Sequence, residues 1–333
     1  MTPRSGGRAR LALAAVGAGL VLAGATAYAV SDHGASDKRR APTANGTWRS
    51  IIAATLDRDG FGRLASNATR ARAAFPNSSN TGVPRDVRLT PYTGPCTITS
   101  DNTVIDAKVV NCDLTIRARY VVIRRSRING YVSSGTDKNS GYSFMLERST
   151  VDASPRGPRQ VTAVGEVNFT VIRSHVFGGN RGANCWYACT IVGSYVHGQD
   201  TDPSGTWHES GIRMGERAVI RANTIACDAP DVPPDGGCSA PLTGYGDFGP
   251  VRDNVIDGNL FKATTGGACA YGGSSRGKPF SNAASGIRFA NNVFERGKTG
   301  HCGVWFAITD FDPSAPGNAW RRNVWDRGGA VRP

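Results

Sequence analysis

The segment from Val196 to Arg213, VHGQDTDPSGTWHESGIR, concentrates the side chains of this chain that are best suited to chemistry. Its ionisable residues are His197, Asp200, Asp202, His208, Glu209 and Arg213. Histidine and carboxylate groups transfer protons, and arginine binds carboxylate or phosphate groups. The segment therefore predicts a functional site, with a merely solvated polar surface as the alternative.

A cation is the one cofactor that this segment indicates. Asp200 and Asp202 are separated by a single residue in a predicted loop. Carboxylate oxygens are the hard ligands that Ca²⁺ prefers. We therefore predict Asp200 and Asp202 as candidate metal ligands for Ca²⁺, while ordinary turn formation is the alternative for the same pair.

The segment lies between copies of a repeated frame that must position it. In Ala218–Ile225, AVIRANTI, Ile220 precedes a corner at Asn223 by three residues and Ile225 follows it by two. The same frame, with Ser or Asn between large apolar residues, recurs at Ser126, Ser149, Ser174, Ser194, Asn259, Asn292 and Asn323. A weaker copy is predicted at Ala107, flanked by Val104 and Val109.

The spacing of these corners indicates a solenoid. Successive corners are 23, 25, 20, 29, 36, 33 and 31 residues apart, which is typical of stacked structural repeats. The flanking residues are β-branched or aromatic, so the units are strands. A coil of parallel strands fits better than a leucine-rich repeat, a propeller or a β-sandwich. Corner amides stacked about 4.7–4.9 Å apart would form a hydrogen-bonded ladder.

The frame resembles that of right-handed parallel β-helix proteins of the pectate lyase-like superfamily, over roughly Cys96 to Asp326. The resemblance implies an all-β, single-stranded right-handed parallel β-helix, with an Asn/Ser corner ladder and a substrate groove along a third strand. His208–Arg213, HESGIR, is similar to an H-x-D-G-I-Q segment of some β-helix carbohydrate enzymes, and matches it at His208 and Gly211. Ser210 replaces the Asp, so a role of that Asp is not carried over.

Three regions are predicted along the chain. Residues 1–30 combine a basic start, the apolar run Leu11–Val30 and Ala27-Tyr28-Ala29, and so predict a signal peptide or an N-terminal anchor. Residues 31–75 predict a linker and a helical N-terminal cap, and residues 76–333 the β-helix. We expect a secreted, extracellular protein, which would contact a membrane only if the leader remains uncleaved.

Eight cysteines in an exported chain predict disulfides. Short loops and stacked positions favour four pairs: Cys96 with Cys112, Cys185 with Cys189, Cys227 with Cys238, and Cys269 with Cys302. A zinc site is the alternative, but the chain has no Cys-x-x-Cys pair.

Alternation along the third strand predicts which groups share a groove. If Ile212 points inward, Glu209, Gly211 and Arg213 point outward. Phe248 lies eleven residues before Asn259, as Ile212 does before Asn223. Aligning the two places Glu209, Tyr245, Asp247 and Arg213 in one groove, with His208 at its edge. Three nearby aromatic residues, Trp207, Tyr271 and Trp305, are candidates for stacking on sugar rings or for packing under loops.

These groups favour an enzyme that acts on an acidic polysaccharide, because the formal net charge is +13. A lyase would use His208 or Tyr245 as base and Arg213 as the cation that neutralises a uronate. A hydrolase would use Glu209 and Asp247 as its carboxyl pair. A non-catalytic glycan-binding or cell-surface protein is the alternative function. We expect a monomer that binds no nucleic acid, since the arginines follow no recognition-helix pattern.

Overall fold

The computed structural model describes residues 75–333. It is a right-handed parallel β-helix whose strands, numbered β1 to β28 in chain order, form three all-parallel sheets. A short 3₁₀ helix, Ser281–Ala283, interrupts the last turns. The predicted fold class is therefore confirmed. The predicted leader, linker and cap lie outside the described residues, apart from Phe75, which is buried against Leu260 and Val293.

Each turn of the coil contributes one strand to each sheet. Sheet A contains β1 Thr90–Pro91, β4 Lys108–Val110, β7 Arg127–Asn129, β10 Thr150–Asp152, β13 His175–Phe177, β16 Tyr195–Val196, β19 Thr224–Ile225, β22 Leu260–Phe261, β25 Val293–Phe294 and β28 Val324–Trp325. Sheet B contains β2 Thr97–Ile98, β5 Leu114–Ile116, β8 Val132–Ser133, β11 Thr162–Val167, β14 Arg181–Tyr187, β17 His208–Glu216, β20 Gly237–Thr243, β23 Ala268–Tyr271 and β26 Phe306–Thr309. Sheet C contains β3 Val104–Asp106, β6 Val121–Arg124, β9 Phe144–Glu147, β12 Phe169–Ile172, β15 Thr190–Val192, β18 Val219–Arg221, β21 Val255–Asp257, β24 Arg288–Ala290 and β27 Ala319–Arg321.

The core runs along the axis of the coil, where the inner faces of the three sheets meet. In one turn, Ile212 of sheet B, Ile220 of sheet C and Ile225 of sheet A are fully buried. Each packs above the equivalent residue of the next turn, as Ile220 does in register with Ile256. Since one turn alone cannot enclose its apolar side chains, stacking creates the core.

The corner between sheets C and A carries the predicted ladder. All eight corner side chains, from Ser126 to Asn323, are buried. The backbone N–H of Asn223 donates to Oδ1 of Asn259 at 3.0 Å, and the N–H of Asn259 donates to Oδ1 of Asn292 at 2.9 Å. Serine corners do the same through their hydroxyl groups. Oγ of Ser174 accepts a hydrogen bond from the backbone N–H of Ser149 at 3.2 Å. The ladder thus satisfies buried groups that no water can reach.

The predicted weak copy at Ala107 is wrong by one residue. In the structure Ile105 pairs with Ile123 and Val110 with Ile128, so Lys108 occupies the corner position. Val110 is fully buried, whereas Val104 is 56 % exposed. A shift of one residue moves a strand's side chains to the opposite face of the sheet, and only the Lys108 register buries the apolar residues.

All four predicted disulfides are present, and the described residues contain no free cysteine. Cys269–Cys302 spans 33 residues and joins neighbouring turns. Disulfides on this scale are typical of an oxidising environment. Between residues 75 and 333 there is no helix with the length and apolarity needed to cross a membrane.

Candidate functional site

A cluster of charged and phenolic side chains lies on the outer face of sheet B and on the loop that follows β20. We call it the sheet B groove. Its members are Glu166, Arg181, Asn184, Arg213, Tyr245, Asp247 and Tyr271. Successive strands supply the first four residues, so the rigid stacking of the coil fixes their order.

Glu166 lies beside an irregularity in the pairing of β11 with β14. Alternation would direct Glu166 inward, since its backbone partner is the buried Cys185. The register shifts after Glu166, because Val167 pairs with Tyr187 and leaves Trp186 of β14 as an extra residue. Such bulges re-aim side chains near them. The Asn184 amide then donates to the Glu166 carboxylate. Burial raises the pKa of Glu166, and the nearby Arg181, Asn184 and Arg213 only partly oppose that rise.

Two arginines of the sheet B groove, Arg181 and Arg213, bind neighbouring polar side chains. Arg181 donates through Nε to Oγ of Ser210 at 3.0 Å. Burial, followed by repulsion from Arg213, lowers the pKa of Arg181 to about 10, so its guanidinium stays charged at neutral pH. Arg213, whose side chain is 13 % exposed, donates to the carboxylate of Asp247. Arg213 interacts electrostatically with Glu166 as well, and so couples both carboxyl groups.

Two tyrosines close the groove beside Asp247. The guanidinium carbon of Arg213 lies 5.6 Å from the centroid of the Tyr245 ring. That ring is 4.8 Å from the ring of Tyr271 on β23. Burial and the neighbouring Tyr245 raise the pKa of Tyr271 far above that of a free phenol. Tyr271 is therefore a neutral hydrogen-bonding group at physiological pH.

A polar cleft of about 760 Å³ lies near the Tyr271 end of the groove. The loop that carries Tyr245 and Asp247 touches the wall of this cleft, because Phe280 N–H donates to the carbonyl of Gly246 at 2.7 Å. Asp310, a lining residue, also acts on the charge of Tyr271. Other lining groups include Arg276, Asn282 and Ser314.

The predicted alignment of Phe248 with Ile212 is wrong. In the structure Ile212 pairs with Leu242, and Phe248 is 71 % exposed. Leu242 lies seventeen residues before Asn259 because the loop after β20 is longer than those of the preceding turns. Asp247 nevertheless contacts Arg213 as predicted, from the loop rather than from a strand.

The predicted place of Glu209 beside Tyr245 is also wrong. Glu209 pairs in register with Cys238 and is only 1 % exposed. Neither of its carboxylate oxygens has a hydrogen-bond partner among the described residues, and burial raises its pKa. His208 is exposed, with Nε2 3.5 Å from a carboxylate oxygen of Asp235. His208 and Glu209 therefore lie apart from the charged residues of the sheet B groove.

Asp202, one of the two predicted calcium ligands, is hydrogen-bonded within its own loop. Asp202 accepts hydrogen bonds from the N–H groups of Ser204, Thr206 and Trp207, and from the Ser204 hydroxyl. Burial alone would raise the pKa of Asp202, but these bonds lower it to about 2. Its oxygens are thus used to fold the loop. Among residues 75–333 there is no group of three or more His, Cys, Asp or Glu able to hold a metal ion.

Of the predicted stacking residues, Tyr271 lies in the groove, whereas Trp305 is an exposed residue just before β26. Trp305 is 66 % exposed, and its N–H donates to the carbonyl of Gly267 at 3.0 Å. Sequence reasoning missed Glu166, Arg181 and Asn184. One usable signal was present, since Asn184 and Arg213 each lie ten residues before a corner and pair in register.

Comparisons of this chain with protein-family models, with curated proteins and with solved structures each returned no match.

Proposed function

We propose that the chain is a secreted glycoside hydrolase that cleaves an acidic polysaccharide in the sheet B groove, on a β-helix of the pectate lyase-like type. The observation that carries this proposal is a pair of carboxyl groups in contrasting environments. Glu166 is half-buried with a raised pKa, while Asp247 forms an ion pair with Arg213. Enzymes that hydrolyse glycosides divide acid and base roles between two carboxyl groups by this kind of contrast.

Each carboxyl group has a role that follows from its surroundings. Glu166 keeps its proton to a higher pH than an ordinary glutamate, and it donates that proton to the leaving glycosidic oxygen as the bond to C1 breaks. Asp247 acts on the other face, as nucleophile or as the base for the water that adds to C1. Activity should therefore fall as pH rises through the pKa of Glu166.

The groove also has the charge and polarity that an acidic sugar requires. When Glu166 is protonated, Arg181 and Arg213 outnumber the single negative charge of Asp247. The carboxylate of a bound uronate would neutralise the remaining positive charge.

Elimination by a lyase is the less favoured chemistry. A lyase needs a base in the groove and a cation free to neutralise the uronate. The pKa of Tyr271 is raised, which disfavours the phenolate. His208 is exposed and pairs with Asp235 outside the groove, so it is not placed to act as the base there.

The products formed from acidic glycans test this proposal. The protein is incubated with pectate, alginate and other uronate polymers, and both reducing ends and unsaturated ends are measured. We expect reducing ends without unsaturated products. Glu166→Gln and Asp247→Asn should each lower the rate by about 100-fold or more, because general acid–base groups contribute about 10²–10⁴-fold.

Asp257→Asn is the matched control, since Asp257 lies 3.7 Å from Arg221 in another Arg–Asp pair, on sheet C. This variant should keep full activity. Unsaturated ends would indicate a lyase instead. Saturable glycan binding without either product would favour the non-catalytic alternative, and unchanged rates in Glu166→Gln and Asp247→Asn would refute the assignment.

A further inference from the structure

Phe248 directly follows Asp247 in the loop after β20, and its ring faces the solvent. Among the large apolar side chains between residues 75 and 333 it is the most exposed, at 71 %. A single exposed apolar residue is common on protein surfaces and needs no explanation by itself. The surroundings of Phe248 therefore decide whether its ring has a role.

Phe248 belongs to a row of alternating cations and rings along the sheet B groove. The guanidinium carbon of Arg213 lies 5.5 Å from the centroid of the Phe248 ring and 5.6 Å from that of Tyr245. Nζ of Lys278 lies 6.0 Å from the same Tyr245 centroid. Contacts of this kind fix the position of a ring relative to a cation. The row thus places two rings and two cations beside the proposed catalytic carboxyl groups.

The backbone on either side of Phe248 is fixed by close contacts. The carbonyl of Gly246 accepts a hydrogen bond from Phe280 N–H at 2.7 Å. Gly249 packs against the indole of Trp186, since a Cβ atom on Gly249 would lie 3.0 Å from that ring. The loop therefore presents the Phe248 ring in a set position, which lowers the entropic cost of binding a ligand there.

One face of the Phe248 ring remains open. The Arg213 side chain is only 13 % exposed, so its guanidinium contacts the side of the ring that faces the protein. The opposite side faces solvent. The face of an aromatic ring carries partial negative charge, and it attracts the C–H groups of a sugar ring, which the neighbouring oxygens polarise.

We propose that Phe248 is a stacking platform for a sugar ring next to the bond that is cleaved. This inference rests on the proposed function and adds recognition of the apolar face of the sugar to recognition of its carboxylate. A sugar on Phe248 lies beside Asp247, because both residues contact the guanidinium of Arg213. Phe248 is a positioning residue, since it forms no bond to the reacting atoms.

Steady-state kinetics on a uronate polymer test this role. Phe248→Ala should raise KM about fivefold or more and leave kcat within about twofold, because stacking holds the substrate equally in the ground state and the transition state. Phe248→Tyr and Phe248→Trp keep a flat ring and should retain the parent KM. Phe248→Leu keeps an apolar side chain without a flat face, and should resemble Phe248→Ala.

Trp305→Ala is the matched control. Trp305 is also a largely exposed ring, at 66 %, but it rests against Gly267, where a Cβ atom would lie 2.9 Å from the ring. This variant should keep the parent KM. Thermal unfolding of each variant shows that the fold is intact. Equal rises in KM for Trp305→Ala and Phe248→Ala would overturn the proposal.

Two other results would also overturn it. A parent-like KM in Phe248→Leu would exclude stacking on a flat ring. A fall in kcat at unchanged KM in Phe248→Ala would show that the ring acts only through Arg213 and Asp247.

Retardation in gels that contain polygalacturonate separates this proposal from the proposed function. The parent, Phe248→Ala and Trp305→Ala are each compared in the Glu166→Gln background. We expect Phe248→Ala alone to lose retardation. Cleavage that persists in Glu166→Gln would refute the proposed acid and leave the stacking role standing. Equal retardation of all three proteins would refute the stacking role and leave the proposed acid standing.

Discussion

The corner between sheets C and A and the sheet B groove both contain buried polar groups, but they use them differently. At the corner each interior asparagine is saturated: Asn259 accepts from Asn223 N–H and Nδ2, and donates to Ile220 O and Asn292 Oδ1. In the groove, Oδ1 of Asn184 is left without a partner among the described residues. Saturated groups stabilise a fold, whereas groups with spare bonding capacity can act on a ligand.

The largest expected effect is at the corner. Asn259→Leu removes four side-chain hydrogen bonds and leaves buried partners unsatisfied. Each unsatisfied buried group costs about 1–3 kcal/mol, so we expect the free energy of unfolding to fall by about 3–5 kcal/mol. Denaturant unfolding monitored by circular dichroism measures the change.

Ser149→Ala sharpens this comparison inside the ladder itself. Ser149 Oγ accepts from Ser126 N–H at 3.1 Å and donates to Glu147 O at 2.9 Å, which is half the number of bonds at Asn259. We expect a loss of about 1–2 kcal/mol. Equal losses in the two variants would show that the asparagine ladder contributes nothing beyond a single corner contact.

A smaller effect is expected from a ring stack on the outer face of sheet A. His175 stacks on Tyr195 at 5.4 Å between centroids, and its Nε2 is 2.7 Å from Nε2 of His197. Burial, followed by His197 and Arg127, lowers the pKa of His175 to about 4, and the carboxylate of Asp152 opposes this only weakly. The charged form of His175 is therefore disfavoured in the folded protein.

Acid should destabilise the fold through this histidine. The unfolded chain, with a histidine pKa near 6.5, binds more protons than the folded chain does. The stability that neutral His175 contributes is complete above pH 6.5 and is lost as pH falls towards 4. Melting temperatures across this range should fall less steeply in His175→Gln. Identical slopes in parent and variant would exclude His175 as the cause.

The β-helix was predictable because the same pattern of apolar residues around a small polar corner repeats along the sequence. Every turn must bury an apolar residue on each side of a small polar corner, as Ile220 and Ile225 do around Asn223. The same constraint exposes the error at Ala107, where Lys108 replaces Ser or Asn and so hides the register. The disulfides followed from the same stacking, because Cys269 and Cys302 lie on neighbouring turns.

The groove was less predictable because its geometry depends on irregular features. Strand alternation places Glu166 in the core, yet its carboxylate accepts from Asn184 on the outer face, beside the bulge that Trp186 forms in β14. The offset that correctly relates Asn184 to Arg213 fails at the next turn, where the inserted loop carries Asp247. Loop length and bulges depend on local backbone interactions that leave no periodic signal.

The central claim is that Glu166 supplies the proton for glycoside cleavage, and leaving-group dependence tests it most directly. The rates of the parent, Glu166→Gln and Asp247→Asn are compared on a uronate polymer and on an aryl uronide whose phenolate leaves without protonation. We predict that Glu166→Gln is severely impaired on the polymer but nearly active on the aryl uronide, while Asp247→Asn is impaired on both. Equal impairment of Glu166→Gln on the two substrates would contradict the account.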